Sequence, residues 1–302
     1  MDQYISAMGK KGNLLLLDCR KKTFTLVPFG HSDDDGPVIL VTNSNVKHSL
    51  SGSEYPDRVR QCKDAVKLIK TRYPSVKALR DATMLQLNEV FRGRYQSAVP
   101  ASGTTSLDYS KKKKPIKMDQ AELAYRRAHH CITEDLRTLA TVAALERGDY
   151  DIVGESMTAS HRSLQFDFEV SCSELDQLVN TAITIPGVYG SRMTGGGFGG
   201  CTVTLVKREA VEVLIEKLKN VYPLCECYQA VPCDGAGVLN MTKSESLNTT
   251  TTRFGGSTLD GSDEQLWPSS SFSEDAYSYA IPITVAAIVS ITGFVFLKGR
   301  NK

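Results

Sequence analysis

Residues 189–205 read Tyr-Gly-Ser-Arg-Met-Thr-Gly-Gly-Gly-Phe-Gly-Gly-Cys-Thr-Val-Thr-Leu, and the rest of the chain has to accommodate this stretch. Gly195, Gly196, Gly197, Gly199 and Gly200 have no Cβ, so the backbone can turn through positive φ and approach a ligand or a neighbouring strand closely. Such a loop exposes N–H groups. From Cys201 to Val206 the sequence becomes a β-branched run, so the loop feeds a strand and is not part of a linker. No Gly-Lys-Ser or Gly-Lys-Thr follows, which excludes a Walker A loop, and no helix opens after it as a dinucleotide fingerprint would require. Two readings stay open from spacing alone: a hairpin glycine cluster and an anion-facing loop.

The chain has 302 residues, 41% hydrophobic and 23% charged, with a net charge of +2. That is enough to bury one large or two modest cores, and it gives no sign of a nucleic-acid partner. Eight cysteines are scattered, and Cys225-x-Cys227 lacks the C-x-x-C spacing of a zinc site, so a reducing, cytosolic setting is expected. Asp2 stands where a secretory signal would carry its basic region.

Residues 1–9 read as a short helix, 13–19 and 23–28 as two strands, and 38–41 as a buried strand. A polar loop over 42–54 leads to Tyr55, and a helix after Pro56 carries Val59, Cys62, Val66 and Ile69 on one face. Periodicity breaks down over 92–116, which includes Lys111, Lys112, Lys113 and Lys114 and reads as an exposed insertion. The longest helix is expected over 118–147, with Asp119 as its N-terminal acid, Gly148 as its stop and an apolar stripe of Ile132, Leu136, Leu139 and Val142. Helices over 152–165, 174–183 and 210–221 alternate with strands over 193–206 and 227–231, an α+β order. His129, His130 and His161 have no metal-ligand spacing to a carboxylate and read as helix-face histidines, so no metal ligand is assigned.

From 244 to 279 the composition shifts to Ser, Thr, Gly and Asp, the pattern of a flexible linker. Residues 280–297 then carry no charge, and about 18 residues is the lower end of what spans a bilayer. The expectation is a single C-terminal transmembrane helix that anchors the protein, with the folded domain facing the cytosol.

The glycine stretch does not stand alone. Asn43-Ser44-Asn45-Val46, Ser53-Glu54-Tyr55-Pro56 followed by Arg58, Arg60, Gln61 and Cys62, Tyr125-Arg126-Arg127-Ala128, Ser160-His161-Arg162-Ser163-Leu164 and Ser171-Cys172-Ser173-Glu174-Leu175-Asp176 occur in an order that resembles the GHMP small-molecule kinases, in the wording of the galactokinases. The resemblance runs from residue 1 to about 238. It implies a remnant of the family's N-terminal domain over 1–36 and its C-terminal domain over 37–243. It also implies ATP-dependent phosphorylation of galactose, or a related hexose, at the anomeric hydroxyl, with Mg2+ as the usual companion of ATP. Asp2, in Met1-Asp2-Gln3, matches the aspartate beside the sugar hydroxyl that is phosphorylated. Tyr55 matches a residue bordering the sugar, and Gly195, Gly196 and Gly197 match a motif that shapes the site. If the loop takes a positive φ at Gly196, a β-branched residue there should be damaging.

Two family features have no counterpart among these residues: the upstream sugar-recognition stretch and the Gly-Leu-Ser-Ser-Ser loop that cradles the triphosphate. Without that cradle the chain is expected to be inactive as it stands. Either a truncated gene model or a natural remnant would account for this. The alternative function is a membrane-tethered pseudokinase or a sugar-sensing interaction protein.

Overall fold

The computed structural model describes residues 2–30, 36–46, 54–100 and 119–237. A short helix α1 (Asp2–Met8) precedes an antiparallel hairpin of β1 (Asn13–Asp18) and β2 (Thr23–Pro28), paired from Asn13 with Pro28 to Asp18 with Thr23. Leu15 and Leu17 alternate onto the side facing α1, where Tyr4 and Ile5 meet them.

The second sheet has four strands in the order β4, β5, β3, β6: β4 (Val188–Met193), β5 (Cys201–Val206), β3 (Val38–Asn43) and β6 (Glu226–Ala230). Every neighbouring pair is antiparallel. Period-two alternation sends Ile39, Val203 and Leu205 to one face, against Ala144 and Leu145 of α4 (Gln120–Glu146) and Val153 and Met157 of α5 (Tyr150–Ser163). Val38, Leu40 and Val206 go to the other face, against Leu178 and Ala182 of α6 (Ser173–Ala182) and Leu214 and Leu218 of α7 (Val211–Val221). A third cluster joins α2 (Glu54–Lys70), α3 (Met84–Val90) and α4 around Val66, Ile69, Leu87, Tyr125 and Phe168.

Helix α5 sits directly on the backbone of β4. A Cβ at Gly154 would fall 2.0 Å from the Tyr189 carbonyl oxygen, and one at Gly190 would fall 2.0 Å from that of Gly154. Both glycines are there because nothing larger fits between helix and strand.

Four expectations need correction. The stretch 193–206 is not one strand: β4 begins at Val188, and the glycines turn it back into β5 as a hairpin. Tyr55 lies inside α2, whose first residue is Glu54, and not in a loop ahead of it. On α4 the anticipated stripe holds only in part: Ile132 is buried and Val142 packs against the core, but Leu136 is 57% and Leu139 62% exposed, while Arg127, His130, Glu134, Thr138 and Thr141 are buried. Arg127, His130 and Glu134 find partners inside the fold, which outweighs the pull of two leucines towards the core. Finally, Ser97 and Ala98 are not a solvated insertion, since both hydrogen-bond to the buried carboxylate of Asp167.

The four lysines at 111–114 and the apolar stretch 280–297 lie outside the described residues. Among the described residues no helix is long and apolar enough to cross a membrane.

Candidate functional site

The loop between β4 and β5 is clamped from two sides. Thr194 N donates to Cys201 O at 2.9 Å and closes the hairpin. On one side Ser44, just past β3, donates to Gly200 O through its N–H at 2.9 Å and its hydroxyl at 2.7 Å, and Gly200 N donates to Val46 O. On the other side Phe198 N donates to Val170 O at 2.6 Å. Gly195, Gly197, Gly199 and Gly200 all have positive φ, and Gly197 lies so close to Val170 that a Cβ there would stand 2.0 Å from its carbonyl oxygen. Gly196 is different, because its φ is not positive and a Cβ would meet nothing within 4 Å. The strain expected at Gly196 therefore belongs to Gly197. Among the described residues, no acceptor faces the N–H groups of Gly195, Gly196 and Gly197. An anionic or hydroxylated ligand suits such a row of free donors.

Arg58 ties α2 to this loop. Its Nε donates to Phe168 O at 2.7 Å, its Nη2 donates to Glu169 O at 2.6 Å, and its guanidinium lies 6.0 Å from the centre of the Phe198 ring. Tyr55 is three residues earlier, so it shares the Arg58 side of the helix, one turn nearer the N-terminus. It is 55% exposed, an aromatic ring and hydroxyl left at the rim.

Buried groups hold the loop from beneath. Arg127 on α4 donates through Nε to Gln61 at 2.7 Å, through Nη1 to Asp167 O, and through Nη2 to the Glu169 carboxylate at 2.6 Å. Asp167, itself fully buried, accepts from Ser97 Oγ, Ala98 N and His129 Nδ1. Burial alone would raise its pKa, but those partners outweigh burial and hold the carboxyl below its usual range. Met193, the last residue of β4, donates its N–H to His161 Nδ1 at 3.2 Å. That bond makes Nδ1 an acceptor and leaves the ring proton on Nε2, which comes within 3.3 Å of Asp176 without hydrogen-bond alignment. Asp176 is fixed in turn by Ser171 and Gln165.

Deeper still, Arg192 extends between β4 and the α4–α5 pair and donates from Nε to Met193 O at 3.0 Å. Glu134 takes hydrogen bonds from Arg137 and Ser160. Its burial is offset by His130, Arg137, Arg192 and Ser160, which together keep it below the usual carboxylate range. His130 Nδ1 meets Ser163 Oγ at 2.9 Å, and burial lowers its pKa to about 4, so it is neutral at physiological pH.

Asp2 opens α1, a helix that rests on the hairpin and on residues 235 and 236, whose N–H groups donate to Gly9 O and Ser6 O. No hydrogen bond among the described residues joins α1 to the glycine loop. The structure thus brings Tyr55 and the glycines to one side of the molecule and places the Asp2 helix on the separate two-stranded sheet. Arg58, Arg127 and Asp176 stand in the motifs that carry the resemblance but receive no role there, and Glu169 is not singled out at all. His161, read as a helix-face histidine, proves to support the loop.

Among the described residues no group of three His, Cys, Asp or Glu side chains is arranged to hold a metal ion, and no phosphate cradle opens a helix. Among the described residues, then, no set of side chains is identified that would hold Mg2+ with ATP.

Comparison with known proteins places these features. Residues 141–224 match the family model "GHMP kinases C terminal". Human galactokinase is 43% identical over 240 residues, covering 79% of this chain and 53% of its own, and the Chloroflexus aggregans galactokinase is 36% identical over 248 residues, covering 81% and 56%. The crystal structure of Lactococcus lactis galactokinase complexed with galactose matches with a TM-score of 0.62 at 28% identity, covering 78% of this chain and 55% of that one. The chain spans about half the length of the curated relatives it matches.

Proposed function

From a chain that carries a GHMP kinase C-terminal domain and is homologous to galactokinases over about 80% of its length, we propose a part in the ATP-dependent phosphorylation of galactose at the anomeric hydroxyl. The observation that carries this reading is the ordered likeness to galactokinases across that length. The exposed ring of Tyr55 borders the sugar, and the N–H groups of Gly195, Gly196 and Gly197, which have no acceptor among the described residues, face its hydroxyls or the phosphate being transferred. Asp2 accepts the proton of the attacking hydroxyl or stabilises the charge that develops on it.

ATP with Mg2+ supplies the phosphoryl group when bound. The triphosphate cradle has no counterpart in these residues, so this chain alone binds sugar weakly and transfers no phosphate. In a polypeptide that joins this chain to the unmatched upstream half of a galactokinase, Tyr55→Ala raises KM for galactose at least several-fold while leaving KM for ATP nearly unchanged. Equal changes in both constants would remove Tyr55 from the sugar site.

A further inference from the structure

Cys225 and Cys227 lack the spacing of a zinc site, but the fold brings their thiols together. Cys225 closes the turn after α7, and Cys227 is the second residue of β6, so the two fall on one face of the chain. Cys225 belongs to the buried cluster of Leu40, Leu214 and Leu218, Cys227 packs against that cluster, and the two thiols interact with each other. Cys227 also meets Thr42 Oγ1, its partner across the ladder on β3, at 3.7 Å.

Two positions along a strand span about 6.6 Å, close to the upper end of the Cα separation that a disulfide bridges, about 6.8 Å. A bond across that gap is strained, and strained disulfides are the readily reduced ones. Among the described residues β6 is an edge strand paired only with β3, so its first residues can close up with the loss of few ladder bonds. Cys62 and Cys131 also interact, but both are buried between α2 and α4, out of an oxidant's reach.

The turn ahead of Cys227 is tied to the clamp on the glycine loop. The Tyr222 hydroxyl donates to Ser44 O at 3.1 Å, Asn45 Nδ2 donates to Leu224 O at 2.7 Å, and Cys225 N donates to Tyr222 O at 3.1 Å. Ser44 is the residue that holds Gly200. We infer that Cys225 and Cys227 form a reversible disulfide on reaction with a peroxide, and that closing this bond slackens the hold of Ser44 on the glycine loop. That the loop serves a sugar or a phosphate rests on the galactokinase reading; its hold by Ser44 does not.

Cys227, half-buried, meets the oxidant first. Its sulfur attacks one peroxide oxygen, the O–O bond breaks, and the departing hydroxide takes the thiol proton and leaves as water, with a sulfenic acid left on Cys227. Burial pushes the Cys225 thiol up to about 11, so it keeps its proton until it attacks the Cys227 sulfur. The S–O bond then breaks, and that proton leaves with the hydroxyl as a second water. The two thiols lose two electrons in all, and one hydrogen peroxide becomes two waters.

The test treats the full 302-residue chain with hydrogen peroxide and reads intact mass, tandem mass spectra and hydrogen exchange. The expected product has lost two hydrogen masses, regains them with dithiothreitol, and gives no backbone fragments between residues 225 and 227. In it the amides of Ser44 and Gly200 exchange about 10-fold faster than in the reduced chain. Cys227→Ser abolishes both effects, and Cys233→Ser, at the exposed cysteine next along the chain, changes neither. These readouts come from the bond and the loop rather than from turnover, so loss of the kinase reading leaves them intact. No loss of mass, a bond mapped to another pair of cysteines, oxidation of Cys227 beyond sulfenic acid without a bond, or a 225–227 disulfide that leaves Ser44 and Gly200 at the reduced rate would overturn the proposal.

Discussion

Glu169 lies in the left-handed region, with φ 56° and ψ 52°, and from there its carboxylate meets the guanidinium of Arg127, a side chain only 1% exposed, at 2.6 Å. A residue other than glycine holds this conformation only when its surroundings fix it. Here Arg127 grips the side chain while Arg58 holds the carbonyl, and the next residue, Val170, accepts the bond from Phe198 in the glycine loop. The loop's position is thus decided on α4 and α2.

Arg127→Ala leaves the Asp167 carbonyl, Gln61 and Glu169 without their shared donor. Glu169 is 37% exposed and can turn to solvent, so the cost is that of leaving the buried acceptors unpaired, about 1–3 kcal/mol, and urea unfolding should show a loss of that order. Arg127→Lys should recover little of it, because a single ammonium cannot reproduce a planar fork bonding three acceptors. A lysine variant as stable as the parent would contradict this account of the loop.

Gly197 and Gly196 are expected to part company. Alanine at Gly197 must adopt φ 85°, which costs about 1–2 kcal/mol before its Cβ is forced against the Val170 carbonyl. Alanine at Gly196 meets open space and should stay within ~0.5 kcal/mol of the parent. Thermal melts of the two variants side by side decide the matter, and equal losses would refute the described loop.

Acid should destabilise the core before it reaches the carboxylates' usual range. His130 titrates near 6.5 when unfolded and at about 4 when folded, so the folded state refuses a proton that the unfolded state takes up. Its contribution is intact above the unfolded value and is lost as pH falls from 6.5 towards 4, a decline of about 3 kcal/mol. Glu134, held low in the folded state, adds to the loss in the same direction at lower pH. Denaturant midpoints measured between pH 7 and 4 should fall for the parent and be markedly flatter for His130→Leu.

Much of the fold was legible because hydropathy and local geometry agree there. The β1 and β2 strands are short apolar or β-branched runs, Asp119 caps α4 by accepting from Ala121 N, and the glycine run does turn a strand back on itself. Helix α4 was misread in part because its inward side carries Arg127, His130 and Glu134, whose partners Gln61, Glu169, Ser163 and Ser160 come from other elements and leave no local trace. Strand β4 was missed for a related reason: Gly190 and Arg192 are poor strand signals, and Gly190 is explained only by Gly154 on α5. At the site, the resemblance pointed to Tyr55 and the glycines, whereas the left-handed Glu169 that positions them has no signature in a non-glycine residue.

The stretch 280–297 remains a proposal drawn from its sequence. Expressed with this tail, the protein should sediment with membranes, resist carbonate extraction and show no glycosidase-sensitive shift at Asn240 or Asn248, whose acceptor patterns would be used only in a lumen. Removal of residues 280–302 should release it. A soluble full-length product would end the anchoring claim, and a glycosidase-sensitive shift would reverse the orientation.

The most direct measurement joins the 302-residue chain to the unmatched upstream half of human galactokinase as one polypeptide and follows galactose 1-phosphate formation with Mg-ATP. The account predicts turnover by the chimera and none by the 302-residue chain alone. It also predicts a loss of about 100-fold to 10,000-fold on Asp2→Asn, which keeps the shape and removes the charge. A folded chimera without turnover, an Asp2→Asn chimera at the parent rate, or phosphorylation by the unaccompanied chain would contradict it.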